Sequence, residues 1–166
     1  MLANIEDLSG QSRVWIYQSS RQLNEEEVQT VQSTIESFIQ AWDAHGAPLK
    51  GAVQVQYQQF IVLAVDEAYN AASGCSIDKS VAVIRDLEQR LQISLLDRSQ
   101  VAFLNEQEEV FVLHFSKLKE AVTQGVINEE SLLLNNSDQS LETFRQGWKV
   151  KAGESWLSRY FKKASV

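Results

Sequence analysis

Hydrophobic positions recur along this chain in two rhythms, one near the helical period and one of two, and each marks out its own elements. Arg13 to Gln18 (RVWIYQ) crowds β-branched and aromatic residues into a short run before Ser19-Ser20, which predicts a strand apolar on both faces. Asn24 then precedes Glu25-Glu26-Glu27. That order puts a capping residue at the N-cap, Glu27 at the third helical position and three carboxylates on the positive end of the helix dipole, so the acidic run reads as a helix start. Val28, Val31, Ile35, Phe38, Ile39 and Trp42 follow at three- and four-residue steps and form one buried stripe. Gly46 and Pro48, the only proline, predict the stop of that helix.

The rhythm then changes to two. Val53, Val55 and Tyr57 alternate with Gln54, Gln56 and Gln58, the pattern of an edge strand with one wet face. Phe60 to Val65 is apolar throughout and predicts a central strand, joined to the previous one as a hairpin around Gln58-Gln59. Ile77, Val81, Ile84, Leu87 and Leu91 mark a second amphipathic helix, capped by Ser76 or Asp78. Val101 to Leu104 and Val110 to Phe115 predict another hairpin, after which Ser116 caps a short helix that Gly125 ends. Leu132-Leu133-Leu134, a turn at Asn135-Asn136-Ser137-Asp138 and a segment carrying Phe144, Trp148, Trp156, Tyr160 and Phe161 complete the chain. These aromatics are expected to cover Trp15 and Tyr17 of the first strand, or to form a dimer interface.

The order strand-helix-strand-strand-helix-strand predicts an α+β fold of the ferredoxin-like sandwich type, with the core over residues 1–97 and a hairpin-helix extension packed on it over 98–166. A chain of 166 residues with 44% hydrophobic and 22% charged residues has enough apolar surface for a core without a metal or a staple. The net charge of −7, with no basic run beyond Lys162-Lys163, gives nucleic-acid binding no electrostatic source. The start MLANIEDL lacks a basic and apolar leader, and no apolar run is of membrane-spanning length. A single cysteine excludes an intrachain disulfide and a multi-thiolate zinc site, and the two histidines show no local metal spacing. No metal and no cofactor are expected, and the cytoplasm is the natural compartment.

Four stretches carry a family resemblance: Arg13-Val-Trp-Ile-Tyr-Gln-Ser-Ser20, Trp42-Asp-Ala-His-Gly-Ala-Pro-Leu49, Val65-Asp-Glu67 with Ser73-Gly-Cys-Ser-Ile-Asp-Lys-Ser80, and Glu154-Ser-Trp-Leu-Ser-Arg-Tyr-Phe161. Together they resemble, over nearly the whole chain, a family of small bacterial proteins of unknown function often labelled "ABC transporter ATPase". The residues do not support that label. A phosphate loop needs two glycines whose backbone wraps the phosphates ahead of its Lys-Ser/Thr pair. Here Lys79-Ser80 stand alone, with Ser73 and Asp78 in the glycine positions. The order of elements from Val101 to Trp148 is also similar to the GYF-like type 2 adaptor modules, although the aromatic groove residues of the peptide-binding GYF domains have no counterparts.

The stretch from Gly74 to Ser80 concentrates the candidate chemistry. Cys75 beside a helix start and near Lys79 is either a small packing residue or a thiol with nucleophilic character. His45, placed at the end of the first helix, is a candidate base or only a complement to the negative helix end. Ser76, Asp78, Lys79, Asp66 and Glu67 are candidate ligand-binding residues. In the expected topology the His45-Gly46 turn and the Asp66-to-Lys79 loop emerge at one edge of the sheet, where binding sites tend to be built. His114 reads as structural. Two function classes follow: a small binding or interaction module, monomeric or homodimeric, for an anionic ligand or a protein partner; or a cysteine-dependent enzyme with Cys75 as nucleophile and His45 as base.

Overall fold

A computed structural model of the chain describes residues 1–137 and 139–162. It is a mixed α+β structure that divides into two compact units, one of residues 1–97 and 136–145, the other of residues 98–135 and 146–166. The segment 136–145, which the sequence groups with the C-terminal extension, thus belongs with the first unit. Of the turn expected at Asn135-Asn136-Ser137-Asp138, Asp138 lies outside the described residues, as does Lys163.

The first unit contains β1 (Arg13–Gln18), α1 (Glu25–Gln40), the two-residue strands β2 (Asp43–Ala44) and β3 (Ala47–Pro48), β4 (Gly51–Gln56), β5 (Phe60–Val65) and α2 (Gly74–Leu91). Its main sheet is antiparallel with the order β1-β5-β4, and β5, the all-apolar run, is central and fully buried. Tyr17, Val53, Ile61, Leu63 and Val65 point to one face and join Val31, Ile35 and Ile39 of α1 and Ile84 and Leu87 of α2 in the core. The helical stripe and the strand alternation therefore meet as their periods require.

Asn24 caps α1 as its sequence predicts. Its side chain accepts from the Glu27 N–H at 2.8 Å while the Glu27 carboxylate accepts from the Asn24 N–H at 3.0 Å. The same carboxylate holds Arg21 through two bonds of 2.8 and 2.7 Å, and Arg21 reaches the Leu91 carbonyl at 3.0 Å, tying the start of α1 to the end of α2.

The second unit contains β6 (Gln100–Leu104), β7 (Val110–His114), α3 (Leu118–Thr123), β8 (Leu132–Leu134) and β9 (Lys149–Lys151), with the sheet order β7-β6-β8-β9. The helix α4 (Leu141–Gly147) contains the point in the sequence, after Arg145, at which the chain passes from one unit to the other. Val101, Phe103, Leu118, Ile127, Leu133 and Leu157 form the core of this unit.

Three expectations are corrected. The strand at Val101 to Leu104, expected as the fourth of a ferredoxin-like sheet, belongs to the second sheet. Its residues are buried on both faces, and β7 and β8 supply its pairing partners. The outer edge of β1, where a fourth strand would sit, instead gives the Val14 N–H to the Gln139 carbonyl at 3.0 Å. Second, Trp15 and Tyr17, expected to lie under the C-terminal aromatics, belong to the core that faces the helices of the first unit; Trp15 lies 6.4 Å from Trp42 between ring centroids. Tyr160 and Phe161 pack on the second core, and Trp156 is 47% exposed. Third, the side chain that caps the turn before α3 is His114, whose Nδ1 accepts from the Ser116 N–H at 3.2 Å.

Candidate functional site

α1 ends at Gln40, earlier than the Gly46-Pro48 signal implied, and the chain then makes the miniature β2-β3 hairpin. His45 and Gly46 form its two-residue turn with φ of 53° and 84°. Two left-handed positions in succession define a type I′ turn, the geometry that matches strand twist, and glycine accepts it without strain. The Asp43 carboxylate accepts the Gly46 N–H at 2.8 Å and locks the turn. His45 is therefore an exposed turn residue, and it does not complement the end of α1.

Two bonds bring this hairpin against the loop that leads into α2. The buried Trp42 indole Nε1–H donates to the Ser76 carbonyl at 2.8 Å, and the Asn70 amide donates to the Pro48 carbonyl at 2.8 Å. These bonds hold the residues on either side of the His45-Gly46 hairpin to Asn70 and to the start of α2. Within the loop, Asp66 accepts the Ala68 N–H at 3.1 Å and Glu67 accepts the Ala72 N–H at 3.1 Å, with Arg13 3.9 Å from Glu67. Both carboxylates shape the loop before anything else.

The start of α2 differs in detail from its sequence reading. Its cap is Ser73, which neither alternative named: the Ser73 hydroxyl accepts the Ser76 N–H at 3.1 Å, and the Ser76 hydroxyl accepts the Ser73 N–H at 2.8 Å. Ser76 also donates to the Ser73 carbonyl at 2.8 Å and is 1% exposed, so its hydroxyl is consumed by the cap. Asp78 lies one turn inside the helix, exposed, and caps nothing. The signal for the true cap was the Ser-x-x-Ser spacing of residues 73 to 76, a capping box with serine where glutamate is usual.

Cys75, Asp78 and Lys79 stand at i, i+3 and i+4 and share one exposed face of α2, opposite the buried Ser76, Ser80 and Ile84. Cys75 is an exposed free thiol, which overturns the reading of it as a buried packing residue. Gly74 and Cys75 occupy the first two helical positions, whose N–H groups have no partner within a helix. Gly74 and Cys75 are both exposed, and a Cβ added at Gly74 would meet nothing within 4 Å. The cap and the dipole favour an anion here, Lys79 adds to that preference, and Asp78 opposes it.

Two cavities lie away from this region. One of about 700 Å3 runs beside β4 and is lined by Leu2, Val28, Gln32, Glu36 and Val55 among others. One of about 380 Å3 lies in the second unit between Phe111, Asn128 and Leu132. Among the described residues no group of three or more His, Cys, Asp and Glu is placed to hold a metal ion, and no helix is long and apolar enough to cross a membrane. No family model, no curated protein and no solved structure matches this chain.

Proposed function

We propose that this chain is a small binding module that recognises an anionic group, on a small ligand or a protein partner, at the start of α2. One observation carries the reading: Gly74 and Cys75 present the first amides of an 18-residue helix on an open surface, with Lys79 exposed one turn further on. The Trp42–Ser76 and Asn70–Pro48 bonds support it by fixing the helix start against the hairpin. The order of elements in the first unit further supports a ferredoxin-like arrangement that stops short of its fourth strand. The reading also keeps the chain with the small bacterial family it resembles, in the cytoplasm and without nucleotide hydrolysis. Thermal unfolding in inorganic phosphate tests it: Tm rises with phosphate, rises less in Lys79→Gln and more in Asp78→Asn. Identical responses from all three proteins contradict it.

The exposure of Cys75 favours a second reading, in which His45 takes the proton of the Cys75 thiol and the resulting thiolate attacks an electrophile. Alkylation by iodoacetamide separates the two. The second reading expects a rate above that of a free thiol and a loss of that advantage in His45→Ala; a rate equal to that of a free thiol leaves binding alone.

A further inference from the structure

We propose that β7 is the surface through which two copies of this chain associate, pairing antiparallel about Val112 and joining their four-stranded sheets into one. The argument begins with which backbone groups point outward. The Asn105 N–H donates to the Glu109 carbonyl and the Phe115 N–H to the Ser99 carbonyl, so the odd-numbered residues of this strand exchange their bonds with β6. In an antiparallel ladder the intervening residues face the other way, so Val110 and Val112 turn their N–H and C=O groups toward the open edge and His114 its N–H, the His114 carbonyl being taken by the start of the turn Phe115–Lys117. Phe111 and Leu113 pack on the core of the unit, which places the side chains of Val110 and Val112 on the opposite face of the sheet.

Each of the other long edges is blunted, in the ways strands are protected from pairing. The edge of β1 is bonded to Gln139. At the edge of β4, the Gly51 N–H and C=O are taken by Met1 and Ala3, Gln32 donates to the Val53 carbonyl, and Glu6 and Glu36 stand beside it. β9 is three residues long and carries Lys149 and Lys151. β7 is five residues long with the sequence VFVLH, holds no lysine, proline, carboxylate or glycine, and is half-buried at every position. An uncharged edge of this length is a template for another strand.

The edge also complements itself. A two-fold axis normal to the sheet through Val112 sets Val112 against its own copy, where the pair exchanges two bonds, and Val110 against His114, where each His114 N–H meets the other copy's Val110 carbonyl. Beyond the strand Ser116 and Lys117 turn away in the short helical turn Phe115–Lys117, and Gln107 and Glu108 lie in the hairpin turn, so the pairing brings no charged side chains of the strand together. Phe115, 56% exposed at the end of the strand, lies at the margin of the pairing and opposite Glu109.

Sedimentation across the micromolar range tests this, and two charge variants separate lost pairing from misfolding. The wild type is expected to sediment as a dimer that dissociates on dilution. Val112→Lys and Val112→Glu each set like charges across the axis and are expected to raise Kd by more than about tenfold. An equimolar mixture of the two variants is expected to regain the dimer, which an unfolded variant could not do. Amide exchange provides a readout on the wild type alone: the Val112 and His114 N–H groups become slower to exchange as concentration rises, and those of Phe111 and Leu113 do not change. A wild type that stays monomeric, variants that remain dimeric, a mixture that fails to associate, or edge amides indifferent to concentration would each overturn the proposal.

Discussion

Gly51 stands where the start of β4 passes beneath α1. An added Cβ there would meet the Ala64 carbonyl oxygen at 3.1 Å, Ile39 Cγ2 at 3.2 Å and the Trp42 ring at 3.4 Å. Gly51→Ala is expected to lower stability by about 1–3 kcal/mol in chemical denaturation, the cost of overpacking a filled site. Gly74→Ala, in open space on a helix, is expected to raise stability by about 0.4–1 kcal/mol through the unfolded chain. Glu27 belongs to the same scale. Its bonds to Arg21, then to the Asn24 N–H, hold its carboxyl down to about 2 from 4.5. A lowered carboxyl stabilises the fold above its unfolded value, and that contribution disappears as pH falls from 4.5 toward 2. Glu27→Gln should thus flatten this part of the acid limb in a pH-dependent unfolding series, and an unchanged limb would show the pairing to be of no consequence.

At the scale of elements, the join between the β2-β3 hairpin and α2 depends on Trp42. Its indole bonds the Ser76 carbonyl and its ring lies 5.2 Å from that of Phe38. Trp42→Phe keeps an aromatic ring but drops the buried bond, and is expected to cost about 1–3 kcal/mol and to speed amide exchange in the first turn of α2. What the sequence made legible at this scale was periodic. The α1 stripe as far as Ile39, the β4 alternation as far as Gln56 and the apolar β5 run form the elements their spacing predicts, because burial on one face imposes a period on the residues that supply it; Trp42 falls beyond α1, and Tyr57 lies in the turn after β4 with φ of 52°. What it hid was the local chemistry of connections. His45-Gly46 does not carry the usual Asn-Gly signature of a type I′ turn, and Ser76 is not the glutamate that announces a capping box. The pairing of β6 was hidden for another reason: strand order in sequence does not say which edge a strand takes, and Gln139 had already claimed the edge of β1. Of the candidate site, the helix that carries Cys75, Asp78 and Lys79 was implied by its apolar spacing, whereas the exposure of Cys75, the burial of Ser76 and the loop-building bonds of Asp66 and Glu67 depend on tertiary placement.

At the scale of the whole molecule, each of the two units has its own sheet and its own core among the described residues, and that of the second unit takes residues from late in the sequence. Leu157 and Ala152 are fully buried in it and Trp148 is 5% exposed, so truncation before Trp148 removes β9 together with part of that core. Burying a large apolar side chain contributes about 1.5–3 kcal/mol against a total stability of about 5–15 kcal/mol. The truncated chain is expected to lose the cooperative melting of the second unit, and a melting curve identical to that of the full chain would contradict this. The central claim concerns the first unit, and amide chemical shifts recorded during a titration with inorganic phosphate test it most directly. The account predicts saturable shifts largest at the Gly74 and Cys75 N–H groups, with smaller ones at the His45-Gly46 turn, weakened in Lys79→Gln and strengthened in Asp78→Asn. Shifts spread over the surface without saturation, or confined to residues away from α2, would contradict it.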